Sequence, residues 1–284
     1  IAKLGHNSSG LRGIQKLKAL NKSLVEPSAQ ADFSARLAEL HQLLSHSEHQ
    51  FLAVGEADQQ EQTVDALIQN WPAQSITKSA RLELPATRQQ SRQLWVCNSQ
   101  VNFCAKAYPT VPVGHADAAS LTVLAGVLRN GFLHTAIREQ GGAYGGGASQ
   151  DSMNAAFRFY SYRDPRLSDT LNDFDQSIAW VLETQHEWRV IEEAILGVVS
   201  SLDKPSSPAG TAKQHFHDAL FGRSPAQHAR FRQAVLGVTA ADLIRVAEQY
   251  LKPEQASIGI VTHSGEAAQY ESLCERDGIE IITL

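Results

Sequence analysis

Leu128-Arg-Asn-Gly-Phe-Leu-His-Thr-Ala-Ile-Arg-Glu-Gln-Gly-Gly-Ala-Tyr-Gly-Gly-Gly147 joins a helical pattern to a glycine-rich strand. Upstream, Asp117 stands where an N-cap is expected, and Leu121, Leu124 and Leu128 recur at helical spacing. Asn130-Gly131 is expected to break that helix and leave a shorter helical piece over 132–139, which ends at the glycines. The strand after them leads to a polar turn over 150–154. A second strand follows, with Phe157, Phe159 and Ser161 alternating with Arg158, Tyr160 and Tyr162, so the pair reads as a hairpin.

Working outward, Val101, Phe103, Ala105 and Ala107 alternate with Asn102, Cys104, Lys106 and Tyr108, a strand ahead of the helix. Helical patterns run through about 166–184, 186–203, 208–221 and 239–251. Ser257-Ile258-Gly259-Ile260-Val261 reads as a buried strand, 265–276 as a helix and 279–284 as a closing strand. Strands, paired helices, strand, helix, strand describe an α+β sandwich of a sheet against helices.

Toward the N-terminus, Leu11, Ile14, Leu17, Leu20 and Leu24 mark one amphipathic helix, and Phe33, Leu37, Leu40 and Leu44 a second. Phe51-Leu52-Ala53-Val54-Gly55 is expected to be a short buried strand. Val64, Leu67, Ile68 and Trp71 line a helix that stops at Pro72. Residues 73–92 lose the apolar periodicity and read as a connection between two units. The expected division is therefore 1–72, a connection over 73–92, and a domain over 93–284. The helix–strand–helix order of 1–71 resembles that of the last residues, a hint of an internal repeat.

With 43% hydrophobic and 19% charged residues, the 284-residue chain has an ordinary globular composition. Its net charge of −5 and lack of a basic stripe argue against nucleic acid as a partner. The longest apolar run, 121–128, is far short of the ~20 residues that cross a bilayer, so no membrane role is expected. The start lacks an initiator Met and a signal-peptide core, which suggests a piece of something longer. Cys97, Cys104 and Cys274 have no CxxC spacing and read as free thiols. They leave the compartment open, and a soluble, cytoplasmic location is slightly favoured over a periplasmic or organellar one.

Phosphate-cradling glycines follow a strand and open a helix; here a helix ends at the glycines and a strand follows, and Gly-Lys-Ser/Thr is absent. The glycines are then either a helix cap with a closely packed strand, or an edge to which a peptide adds by main-chain pairing. Gly142, Ala143, Gly145 and Gly146 are the candidate peptide-binding positions on the second reading. Arg138 and Tyr144 flank the turn, and both are donors that can polarise a carbonyl or hold an oxyanion. The alternative is an arginine that neutralises a helix C-terminus and a tyrosine at the core edge. His46-Ser-Glu-His49 and His215-Phe-His217 lack the spacing of a zinc-peptidase HxxEH helix and read as solvated helix residues.

The quoted run, continued by Phe157-Arg-Phe-Tyr-Ser-Tyr-Arg-Asp-Pro165, resembles the presequence-protease branch of the insulinase (pitrilysin) superfamily of zinc peptidases, with its Ile-Arg-Glu-x-Gly-Gly-Ala-Tyr-Gly element. The resemblance covers about 93–284 well and 1–72 more loosely. It implies the insulinase (LuxS/metallohydrolase-like) fold, with 93–284 as the last of four related domains and 1–72 as the end of the third. It also implies a clam-shell enzyme whose N-terminal half binds zinc through HxxEH and a distal Glu. The C-terminal half would close the chamber and grip the peptide through Arg138 and Tyr144. HxxEH occurs nowhere in this sequence. The expectation is a zinc enzyme's C-terminal part that binds no metal itself, with the zinc-binding half and peptides as partners. The alternative is a non-catalytic scaffold or peptide-holding subunit of the same fold.

Overall fold

The apolar spacings of the first part of the chain fold as three helices, α1 (Leu11–Ser23), α2 (Pro27–Ser45) and α3 (Ala57–Asn70). Phe51-Leu52-Ala53-Val54-Gly55 forms no strand and is largely exposed. A strand needs a neighbour to bond, and none stands beside this segment among the described residues. Phe51 instead packs its ring on Trp71, at 5.5 Å between centroids, and on His49, at 5.9 Å. The suggested repeat loses its middle element with that strand.

The alternating segments of the rest of the chain build a six-stranded mixed sheet in this computed structural model, which describes residues 5, 9–71 and 89–284. Its strands are β1 (Arg92–Cys97), β2 (Asn102–Pro109), β3 (Gly145–Asp151), β4 (Ala156–Asp164), β5 (Ser257–His263) and β6 (Glu280–Thr283), in the spatial order β3-β4-β2-β5-β1-β6. The β5-β1-β6 edge is parallel, and the other pairings are antiparallel. The fold class is α+β. The connection expected over 73–92 lies outside the described residues except for 89–92. Arg92 already belongs to β1, and its Nη1 donates to Asp277 O at 2.7 Å.

Helices α4 (Ala118–Leu128), α5 (Ser168–Glu183), α6 (Trp188–Leu202), α8 (Pro225–Leu236), α9 (Ala240–Tyr250) and α10 (Ala267–Asp277) accompany the sheet. Leu121, Leu124 and Leu128 meet Phe157, Phe159 and Phe174 in the core. Helix α7 (Pro208–Leu220) belongs elsewhere. Among the described residues, 89–204 and 225–284 form one compact unit, and 9–71 with 205–224 form the other. The expected domain over 93–284 thus gives 205–224, with α7, to the unit of α1–α3.

The face that β2 buries is Asn102, Cys104, Lys106 and Tyr108, while Phe103 on the other face is 38% exposed. A buried ammonium needs a counter-charge, and the Lys106 Nζ donates to both Asp175 oxygens at 2.6 and 2.7 Å. Asn102 accepts from Thr262 Oγ1 at 2.7 Å. Burial pushes the Cys104 thiol up to about 12, so it packs as a small apolar group.

Asp117 does stand at the N-cap of α4, but its side chain makes no cap bond; its carboxylate accepts from Arg245 Nη2 and Tyr250 Oη, both at 2.7 Å, and so ties the start of α4 to α9. The break expected after α4 is corrected. Asn130-Gly131 does not break the helix, which runs on as a π-helical segment over Arg129–Gln140. Gly131 lies against Trp180, whose Cη2 would stand 2.5 Å from a β-carbon there. The glycine permits close packing on α5.

Candidate functional site

Arg138 sits in the last turn of the π-helical segment and Tyr144 just before β3, with the Gly141-Gly142-Ala143 turn between them. Gly142 N–H returns to Arg138 O at 3.2 Å and Ala143 N–H to Ile137 O at 3.1 Å. Gly142 has φ of +78°, which a side chain resists, so the reversal suits glycine. Tyr144 N–H donates to Arg163 O at 3.2 Å, at a bulge in β4 where Arg163 itself has φ of +50°.

Both candidate donors are exposed. Tyr144 is 61% exposed, its ring tilts against Tyr162 at 5.7 Å, and the Arg163 guanidinium lies over it at 5.3 Å. Neither the Tyr144 hydroxyl nor the Arg138 guanidinium has a hydrogen-bond or ion-pair partner among the described residues. The nearby Glu139 carboxylate is taken by His134 at 3.3 Å.

The glycines of β3 are filled from within the protein. A β-carbon on Gly145 would meet the Tyr162 phenol, one on Gly146 the Ile137 side chain, and one on Gly147 the stem of Arg129. Their smallness lets the π-helical segment and the tyrosines close onto the strand. β3 is an edge strand, paired on one side by β4. Thr110 N–H donates to Ala155 O at 2.8 Å, so the alternate residues 157, 159 and 161 turn their main chain toward β2. Residues 156, 158, 160 and 162 then bond across to 151, 149, 147 and 145. The main-chain groups of Gly146, Ala148 and Gln150 are left facing the free edge. Of the four candidate peptide-binding positions, Gly146 alone lies on that edge; Gly145 turns to β4, Ala143 is buried, and Gly142 shapes the turn. Ala148 and Gln150 share that edge with Gly146, a main-chain parity that the sequence does not reveal.

The histidine pairs are separated from this region in role. His46 ends α2, with Nδ1 at 2.7 Å from Gln42 O. His49 lies past the helix against Phe51 and Trp71 rather than on a solvated helix face. His215 and His217 are exposed on α7. Among the described residues no group of three or more His, Cys, Asp or Glu side chains could hold a metal ion, so these residues do not fit a zinc site.

The family model of the PreP C-terminal domain matches residues 92–263. The chain belongs to the PreP C-terminal domain family. The mitochondrial presequence protease of Xenopus laevis is 40% identical over 159 residues, which is 56% of this chain and 15% of that protein. That of Drosophila melanogaster is 39% identical over 171 residues, 60% of this chain and 16% of that protein. The chain therefore spans about a sixth of the length of the curated relatives it matches. In solved structures the fold is similar to pitrilysin, with a TM-score of 0.56 at 13% identity over 80% of this chain and 25% of that one. A peptidase M16 inactive domain from Pseudomonas fluorescens gives 0.54 at 15% identity, over 74% of this chain and 52% of that one. These likenesses show the M16 peptidase fold. No helix among the described residues is long and apolar enough to cross a membrane. The relatives are named as mitochondrial, which does not favour the cytoplasmic location expected from the sequence.

Proposed function

We propose that this chain is the part of a zinc metalloendopeptidase that closes its chamber and holds the peptide while another part of the polypeptide binds the zinc. The observation that carries the reading is a pair of unspent donors: Arg138 and Tyr144 flank one turn and are exposed, and the guanidinium and the hydroxyl have no hydrogen-bond or ion-pair partner among the described residues. Peptide hydrolysis places negative charge on the scissile carbonyl oxygen, and fixed donors lower that barrier. Arg138 holds the carbonyl before and during attack, and the Tyr144 hydroxyl donates to the oxyanion as it forms. The peptide runs beside β3, pairing its main chain with Gly146, Ala148 and Gln150.

Membership of a family whose relatives are named proteases supports the enzyme over a scaffold, and a scaffold leaves the two donors without use. On this reading the zinc ligands are supplied by another part of the polypeptide, which is consistent with the lack of a group of three or more ligating side chains among the described residues. Purified alone, the chain is expected to hold well under one zinc per molecule and to cleave no peptide. A tightly held, chelator-removable zinc found by metal analysis contradicts this division of labour.

A further inference from the structure

The arginine beside the proposed site that the reading above leaves unused is Arg166. It follows β4 and precedes α5, and its backbone is fixed on both sides. Its N–H donates to Asp164 Oδ1 at 2.9 Å, and its carbonyl accepts from Asn102 Nδ2 at 3.4 Å. Asp164 is fully buried, and its other oxygen accepts from Thr170 Oγ1 at 2.8 Å. Asn102 is held in turn by Thr262 on β5. The base of Arg166 is therefore anchored to the middle of the sheet.

Its side chain reaches the π-helical segment. Arg166 Nη2 donates to Ala136 O at 3.1 Å and to Asp173 Oδ2 at 2.9 Å. The guanidinium fills the space that a β-carbon on Gly141 would take, and its Nε is buried with no partner among the described residues. Carbonyls in a last helical turn lose their intrahelical donors, so a charged donor there fixes the turn strongly. Ala136 stands two residues before Arg138, and Gly141 opens the turn to Tyr144. The other end of the segment is held by Trp180 of α5, on Gly131 and at 5.9 Å from Phe132.

We propose that Arg166 is a positioning residue for peptide hydrolysis: by locking Ala136 and Gly141 to the sheet and to Asp173, it sets where the Arg138 guanidinium and the Tyr144 hydroxyl stand. This rests on the proposed function of that pair. Both side-chain bonds of Arg166 leave one nitrogen, Nη2, while Cζ and Nε of the same guanidinium pack against Gly141, so the group acts by its breadth as well as its charge. The Asp173 carboxylate meets that nitrogen from α5.

The test uses the full-length enzyme with a peptide substrate and compares Arg166→Met, Arg166→Lys, Arg138→Ala and the Arg166→Met/Arg138→Ala double variant. A shifted donor about 1 Å from its place costs up to ~100-fold, so Arg166→Met is expected to lower kcat/KM by about 10- to 100-fold with zinc content unchanged. Arg166→Lys, which keeps the charge and loses the fork, should not restore the rate. In the Arg138→Ala background, Arg166→Met should cost less than it does alone, because one of the two groups it positions is gone and only the effect through Tyr144 remains. Gly141→Ala pushes the same guanidinium aside and supplies the comparison where Arg166→Met folds poorly; it should show the same loss and the same non-additivity. If Arg138→Ala lowers activity while Arg166→Met and Gly141→Ala act additively with it, or leave kcat/KM intact, Arg166 is a structural residue only and the inference is overturned. If Arg138→Ala itself leaves activity intact, the reading of the pair fails first.

Discussion

Gly146→Ala is the sharpest test of how the glycine strand carries the site. A β-carbon built at Gly146 stands 2.9 Å from Ile137 Cγ2, 3.3 Å from Ile137 Cδ1 and 3.0 Å from Tyr160 O. Carbon pairs rest at about 3.5–4.0 Å, so the new methyl overlaps Ile137 by roughly half an ångström or more. Neither neighbour yields easily: Ile137 is fully buried in the π-helical segment, and Tyr160 O is main chain in β4. Overpacking of this kind costs about 1–3 kcal/mol. For a unit of this size each kcal/mol shifts the melting temperature by roughly 2–4 °C, which gives an expected fall of about 2–12 °C. Gly259→Ala on β5 is the control, since nothing lies within 4 Å of its β-carbon. There a methyl lowers the entropy of the unfolded chain and should be neutral or add about 0.4–1 kcal/mol. Calorimetry of the two variants should therefore give shifts of opposite sign or clearly different size. Equal shifts would refute the claim that the π-helical segment is seated on Gly146.

The Asp117 knot gives a pH dependence. The hydrogen bond from Arg245 holds the Asp117 carboxyl below the usual carboxylate range, aided by Tyr250 and opposed by burial. The folded form thus binds its proton at lower pH than the unfolded form, whose value is about 3.9, so this stability is present above that pH and is lost as pH falls through the folded value. Asp117→Asn should lower the melting temperature at neutral pH and flatten its fall in acid; an unchanged acid slope in thermal scans would exclude Asp117 as a contributor. Brief trypsin treatment should cut at Lys78, Arg81 or Arg88 of the expected connection and spare Arg92, whose backbone is laddered in β1 and whose side chain is bonded to Asp277. Mass spectrometry that finds Arg92 cut first would contradict that assignment.

Period-two and helical spacing made most of the sheet and helices legible: the phenylalanines of β4 bury one face, and the leucines of α4 recur at helical spacing in a helix buried on nearly every side. Strand β1 was missed although Leu94-Trp95-Val96-Cys97 is a continuous apolar run, the form a strand takes between two parallel neighbours. Helix α8 was also missed; Pro225 at its start and Phe231 and Val235 facing inward were the available signals. Gly131 read as a breaker because the sequence does not contain Trp180's position, and tertiary packing overrode local propensity. The N-cap position of Asp117 was legible, but not the partners of its carboxylate, because Arg245 and Tyr250 lie far along the chain. At the proposed site, the motif makes Arg138 and Tyr144 candidates, whereas nothing in the sequence points to Arg166: its contacts depend on where β4 ends against the π-helical segment.

The donor role of this chain is tested most directly by Tyr144→Phe in the full-length enzyme, which removes one hydroxyl that has no partner among the described residues. Loss of one oxyanion donor costs about 2.7–4 kcal/mol in the transition state, or ~100- to 1000-fold in turnover. Steady-state kinetics on a peptide should show that fall in kcat with KM, zinc content and melting temperature little changed, while Arg138→Ala should also raise KM because it holds the ground-state carbonyl. Wild-type kcat and KM in both variants would contradict the role, and leave Arg138 as a charged helix end and Tyr144 as a tyrosine at the sheet's edge.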